Sequence, residues 1–245
     1  MTDRLKSTSS AELREELLSL VKSVKGQLAN ADHLYVDVAW KNTAPIRKES
    51  DTGAGKPKKT IDDLCREAAG CYLCPLSKTR KNVVFGDGDT RAEIVFVGEA
   101  PGADEDAMGL PFVGRAGQLL TNIIKAMGLA REDVYICNIL KCRPPGNRNP
   151  LPDEIRLCEP YLKQQLQMIS PRIICALGSF AAKTLLATET PITVLRGRFH
   201  QYAGIKLMPT YHPAYLLRNP SAKKQVWEDV QLIMKELNSG KDDQD

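Results

Sequence analysis

Four short apolar runs punctuate the chain: "EIVFV" at 93–97, "DVYICNIL" at 133–140, "RIICAL" at 172–177 and "IKLMPT" at 205–210. Runs this short with little internal alternation read as strands buried on both faces. Between them "AGQLLTNIIKAMG", "PDEIRLCEPYLKQQLQMI" and "SFAAKTLLA" repeat apolar residues every three or four positions, which predicts helices. A last helix over "SAKKQVWEDVQLIMKEL" places Val226, Trp227, Val230, Met234 and Leu237 on one side. Strand and helix alternate, so the fold class is α/β: a three-layer α/β/α domain with a central, mainly parallel sheet.

The first part of the chain has a different pattern. Residues 9–30 carry Leu13, Leu17, Leu20, Val21, Val24 and Leu28 at helical spacing, with Ser9 and Glu12 placed as a capping box. From about Trp40 to Thr60 the sequence turns polar, basic and rich in Gly and Pro, as linkers are. The predicted organisation is a helix and tether over 1–60, one domain over 61–238, and a frayed acidic tail over 239–245. The helix suits docking or dimerisation better than DNA contact. The lysines of the tether are either solvated or follow phosphates.

Each unusual motif falls just after a strand. The acidic, glycine-rich "GEAPGADEDAMGLPFVGRAGQLL" follows the first and "KCRPPGNRNP" the second, with "GS" after the third and "YHPAYLLRNP" after the fourth. Ligands of open α/β sheets bind beyond the carboxyl ends of the strands. One cleft is therefore expected to collect Glu99, Phe112, Asn138 and His212.

Charge narrows the partner class only slightly. The net charge of +4 permits nucleic acid without demanding it. No apolar run is long enough to span a bilayer, and the N-terminus lacks a secretory signal pattern, so a cytoplasmic location is expected and no membrane partner. Seven cysteines in a reducing compartment argue for metal or burial rather than disulfides. Cys71 and Cys74 form a C-x2-C pair, and Cys142 and Cys158 flank a Pro-rich loop and a helix. Four thiolates from two segments suit structural zinc or an iron–sulfur cluster, and spacing does not choose between them. Cys137 and Cys175 lie inside strands and read as buried apolar residues.

With these motifs in order, together with "LRG" at 195–197, the chain resembles the family 4 uracil-DNA glycosylases over about residues 65–235. The resemblance implies a [4Fe-4S] cluster on Cys71, Cys74, Cys142 and Cys158, and removal of uracil from single- or double-stranded DNA. A monomer in a bacterial or archaeal cell, associated with the nucleoid, is expected, and the N-terminal helix, which lies outside the resemblance, is a candidate site for replication or repair proteins.

The residues suit that chemistry. A glycosylase extrudes the base, reads its edge and stabilises charge as the glycosidic bond breaks. The Asn138 amide can accept from uracil N3–H and donate to O4 at once, and Phe112 offers a face for the ring. His212, before Pro213 at a helix start, can donate to O2. Glu99 can face the oxocarbenium-like sugar or position water, with Glu105 as a second candidate. Better-known uracil glycosylases place a water-positioning Asp where this chain has Ala100. Gly102 and its neighbouring glycines permit close backbone approach to the nucleotide. Leu216 is expected to wedge into the gap left by the base, with Arg218 on the backbone and Arg143, Arg148, Lys141 and Arg196 adding phosphate contacts.

No lysine is placed as a Schiff-base nucleophile, so strand cleavage is not expected. No histidine-bearing insertion lies between Asn138 and Pro150, so turnover is expected rather than covalent capture of the sugar. A cluster-bearing DNA-binding accessory of replication without catalysis is the competing class. A nucleotide-binding enzyme is a third, and it lacks both G-x-G-x-x-G and the P-loop lysine.

Overall fold

The computed structural model describes residues 59–239. The readings for the N-terminal helix, most of the tether and the last residues of the tail lie outside them. Thr60 opens the described part: its hydroxyl accepts from the Asp63 N–H and the Asp63 carboxylate accepts from the Thr60 N–H, a capping box that starts α1 (Ile61–Ala69).

The chain then builds β1 (Asp87–Gly88), β2 (Ile94–Gly98), α2 (Ala103–Met108), α3 (Arg115–Ala126) and β3 (Tyr135–Asn138). It continues through α4 (Pro152–Ile169), β4 (Ile173–Leu177), α5 (Ser179–Leu186), α6 (Ile192–Leu195) and β5 (His200–Tyr202). It closes with β6 (Ile205–Thr210), α7 (Pro213–Arg218) and α8 (Lys223–Asn238). The sheet order is β1-β3-β2-β4-β6-β5; β3, β2, β4 and β6 run parallel, and the short edge strands β1 and β5 run antiparallel. The fold class read from the sequence is the one observed. The four predicted strands are the four parallel ones, and every residue of β2, β3 and β4 is buried.

Pleating sends alternate side chains to opposite faces. Ile94, Phe96, Ile173, Cys175, Leu177 and Met208 pack with Leu120 and Ile124 of α3, Leu216 of α7 and the inner side of α8. α5 packs against β4 and β2, and α4 reaches β3 through Gln165, which donates to the Tyr135 hydroxyl. The inner side of α8 is Val226, Asp229, Val230, Ile233 and Leu237; Trp227, expected there, is well exposed. The buried side is turned toward Asp229 and Ile233 and away from Trp227. No helix among the described residues is long and apolar enough to cross a membrane.

The parallel strands end in a row, Asn138, Gly98, Leu177 and Thr210, with Gly98 directly opposite Asn138 and Leu177 opposite Thr210. β3 and β4 leave β2 on opposite sides, which makes the end of β2 the topological switch point.

Candidate active site

Asn138 sits at one end of this row, opposite Gly98. It is 1% exposed, and its Oδ1 is a buried acceptor with no partner among the described residues. Buried polar atoms are almost always paired, so an orphan acceptor in a cleft marks a place for a donor from outside. An ideal Cβ at position 98 would lie 2.3 Å from that oxygen and 2.6 Å from Cζ of Phe112. Only glycine fits between the amide and the ring.

Phe112 has φ 52, the left-handed region that an aromatic residue rarely adopts. Neighbouring groups hold it there. The Glu105 carboxylate accepts from the N–H groups of Gly102, Val113 and Gly114 at 3.1, 3.0 and 3.0 Å. Arg131 donates to the Pro111 carbonyl. The ring packs tilted against the His212 imidazole, centroids 5.5 Å apart and planes at 33°.

His212 caps α7: its Nδ1 accepts from the Ala214 N–H at 3.1 Å. The proton of the neutral ring therefore sits on Nε2, which is left to donate. Burial pushes its pKa down to about 4, helped by the Arg218 cation and opposed by the Glu105 carboxylate. At neutral pH the ring is an uncharged donor. Gly178, with φ +90, lets β4 end against it; an ideal Cβ there would meet His212 Cβ at 2.9 Å.

Glu99 follows β2 and is half-buried, with burial raising its carboxyl above the ordinary range. Its carbonyl accepts from Leu140 N–H at 3.0 Å, which ties it to the segment after β3. The strand ends thus bring Phe112, Asn138 and Gly98 into contact and set His212 against Phe112.

Several expected roles change. Glu105 spends its carboxylate on three backbone donors, so it fixes the Phe112 loop rather than handling water. Gly102 donates its N–H to Glu105 and is the N-cap of α2, so that N–H is not free for a nucleotide. Ala100 packs with Leu76, Leu140 and Cys142, on the cysteine side. Leu216 is 1% exposed in the core, because the register of α7 turns it toward α3. It cannot project as a wedge, whereas Leu217 is 38% exposed.

The cations divide similarly. Arg196 is held by both carboxylate oxygens of Asp229, at 3.0 and 2.8 Å, and stacks on Tyr211. Lys141 is buried and binds the Asn138 carbonyl and Gln165. Neither is available to phosphate. Arg148 pairs through two bonds with buried Glu154. Arg143 is half-buried and donates to Asn147, and Arg218 is exposed with no ion pair among the described residues.

Beside the cleft, Cys71, Cys74, Cys142 and Cys158 line one cavity with Arg80, Lys141 and Tyr161. Arg80 donates to Cys142 Sγ at 3.4 Å and the Lys141 N–H to Cys158 Sγ at 3.3 Å. Such donors stabilise thiolates, so the donor set fits an iron–sulfur cluster. Cys65 lies outside the cavity lining, and Cys137 and Cys175 are buried in β3 and β4.

Sequence reasoning missed the polar groups that position the site: Glu105 as a clamp, Gln165 behind Asn138, and Asp229 behind Arg196. Gln165 and Asp229 each interrupt the apolar side of a helix, which is the one signal that could have found them.

A mainly parallel α/β sheet gathers an amide, an imidazole and an aromatic ring at its strand ends, and the uracil DNA glycosylase superfamily matches residues 85–231. The chain is 46% identical over 183 residues to the type-4 uracil-DNA glycosylase of Archaeoglobus fulgidus, covering 71% of this chain and 92% of that protein. The type-4 enzyme of Saccharolobus solfataricus is 46% identical over 188 residues, 73% of this chain and 87% of its own. That of Thermotoga maritima is 48% identical over 165 residues, 66% and 86%. The chain belongs to the type-4 uracil-DNA glycosylases.

Proposed function

We propose that the protein excises uracil from DNA by hydrolysis and leaves an abasic site. The orphan acceptor of Asn138 carries the reading. A flipped uracil stacks on Phe112 and donates N3–H to Asn138 Oδ1, while the amide nitrogen donates to O4. Cytosine offers an acceptor at N3 and a donor at N4, so the same amide orientation rejects it.

As the N-glycosidic bond breaks, its electron pair leaves on uracil N1 and spreads to O2, which accepts from the neutral His212 Nε2–H. The sugar becomes cationic at C1′. Glu99 faces that charge or holds the water that adds there, and the water's second proton leaves to solvent or to Glu99. Exposed Arg218 and half-buried Arg143 supply phosphate contacts, and Leu217 takes over the wedge role from buried Leu216. Cys71, Cys74, Cys142 and Cys158 would hold a [4Fe-4S] cluster. When bound, it cross-links the α1–β1 segment to the segment after β3 and to α4, a bracing role rather than redox chemistry.

The test uses oligonucleotides with one central U, T or C, followed by hot alkali. Cleavage at U alone, only after alkali, is expected, together with iron in the purified protein. Intact U with retained DNA binding would favour a non-catalytic accessory module.

A further inference from the structure

An amide that tells uracil from cytosine must not flip or drift, and no side-chain bond among the described residues fixes Asn138. Its backbone is fixed instead. Lys141, 2% exposed, donates its Nζ to the Asn138 carbonyl at 2.8 Å and to Gln165 Oε1. Gln165, fully buried on α4, donates in turn to the Phe85 carbonyl at 3.0 Å and the Tyr135 hydroxyl at 3.1 Å. Lys141 itself is pinned at both backbone ends: its N–H donates to Cys158 Sγ, and its carbonyl accepts from Val84 N–H at 2.8 Å.

This buried amine forms no ion pair with a carboxylate among the described residues. A buried amine whose side-chain partners are a carbonyl and an amide oxygen, with no carboxylate, is costly to hold. A methionine would fill the same space more cheaply, so packing alone does not account for a lysine here.

We propose that Lys141, oriented by Gln165, is the positioning residue for Asn138 and links the cysteine-lined cavity to uracil recognition. The inference rests on Asn138 reading the base. β3 ends at Asn138, so its carbonyl is released from sheet pairing where the strand stops, and Lys141 supplies the donor that holds that peptide plane. The network spans the segment before β1, β3, the cysteine-bearing segment and α4, so movement in any of them reaches the amide.

Lys141→Met, Gln165→Leu and Gln165→Glu are compared with the wild type and Asn138→Ala for iron content, kcat and KM on uracil DNA, and inhibition by free uracil. Lys141→Met and Gln165→Leu are expected to keep iron and KM for DNA, lose about tenfold in kcat, and be inhibited by free uracil about tenfold more weakly, the effect of one lost charge-assisted bond. Gln165→Glu keeps an acceptor for Lys141 and is expected to recover most of both. A merely destabilised protein would lose kcat through its inactive fraction and leave inhibition by free uracil unchanged.

Iron-replete Lys141→Met with wild-type kcat and uracil inhibition overturns the proposal. If Lys141→Met purifies without iron, Gln165→Leu decides by the same readouts. Loss of iron in both overturns it as well, since the pair would then support the cysteines rather than Asn138. A wild type that releases no uracil, by contrast, defeats the reading of Asn138 itself.

Discussion

Asn138, which ends β3, and Asp229, on α8 against the last residue of β6, are both almost wholly buried, yet their surroundings differ completely. Asp229 accepts from the Thr210 hydroxyl at 2.6 Å and from Nε and Nη2 along one edge of the Arg196 guanidinium. The Asn138 Oδ1 has no partner at all among the described residues. Burying a polar group costs free energy unless it is paired, so a satisfied cluster stiffens a fold whereas an unsatisfied atom is kept only for a ligand. The Asp229 cluster behind β6 is scaffold, then, and the Asn138 amide at the end of β3 is the proposed reader.

Crossed substitutions give the largest test of that contrast. Asp229→Ala leaves Arg196 with only Glu228 and the Gln225 carbonyl among the described residues, and Thr210 without its acceptor, and is expected to cost about 1–3 kcal/mol of stability in denaturant unfolding. Asn138→Ala removes an atom that bonds to nothing, so stability is expected to stay within about 0.5 kcal/mol. Uracil excision is nonetheless expected to fall at least about 10²-fold. Comparable destabilisation by the two changes would erase the distinction between scaffold and reader.

The same contrast explains what the sequence disclosed. Asn138, His212 and Phe112 follow predicted strands, and strand ends in an open α/β sheet converge whatever the helices do. The four cysteines that line one cavity group in the sequence as a C-x2-C pair and two remote cysteines, and the resemblance supplied the cluster that spacing could not choose. What stayed hidden depended on helix register and on where a carboxylate points. One step along α7 rotates a side chain by about 100°, enough to exchange the places of Leu216 and Leu217. On α8 the apolar spacing holds for Val226, Val230 and Leu237, while Trp227 lies just outside the buried side and polar Asp229 just inside it. Glu105 stands among carboxylates on a glycine-rich loop, and nothing in that stretch says that its acceptors serve three backbone N–H groups. β1 and β5 are too short to carry a pattern.

Leu217 sharpens the reader side. Exposed on α7, it is expected to matter only when duplex DNA must be parted. Leu217→Ala should lose several-fold in excision from duplex and little from single strands, with unfolding unchanged within about 0.5 kcal/mol. Leu216→Ala instead opens a cavity under α7 and should lower stability. Equal rates of Leu217→Ala and wild type on duplex uracil would remove Leu217 from the interface.

The smallest expected effect is a null one, and it bears on how His212 works. Burial lowers its pKa from 6.5 to about 4 in the folded protein. Between those values the unfolded chain binds a proton that the folded chain refuses, so stability falls as pH drops from about 6.5 to about 4 and is unaffected by this group above that window. His212→Gln should flatten that slope in the free energy of unfolding. Excision, in turn, should show no inflection near pH 6.5, because the donor is already the neutral Nε2–H throughout the neutral range. Any acid limb belongs to Glu99, whose carboxyl is raised by burial and loses its negative charge as pH falls. It should therefore persist in the residual activity of His212→Gln. A step in kcat near pH 6.5 that vanishes in His212→Gln would mean that an imidazolium stabilises the leaving base. The cleft would then hold a charged donor beside an unpaired amide, and the reader side would be as dependent on ion pairing as the Asp229 cluster.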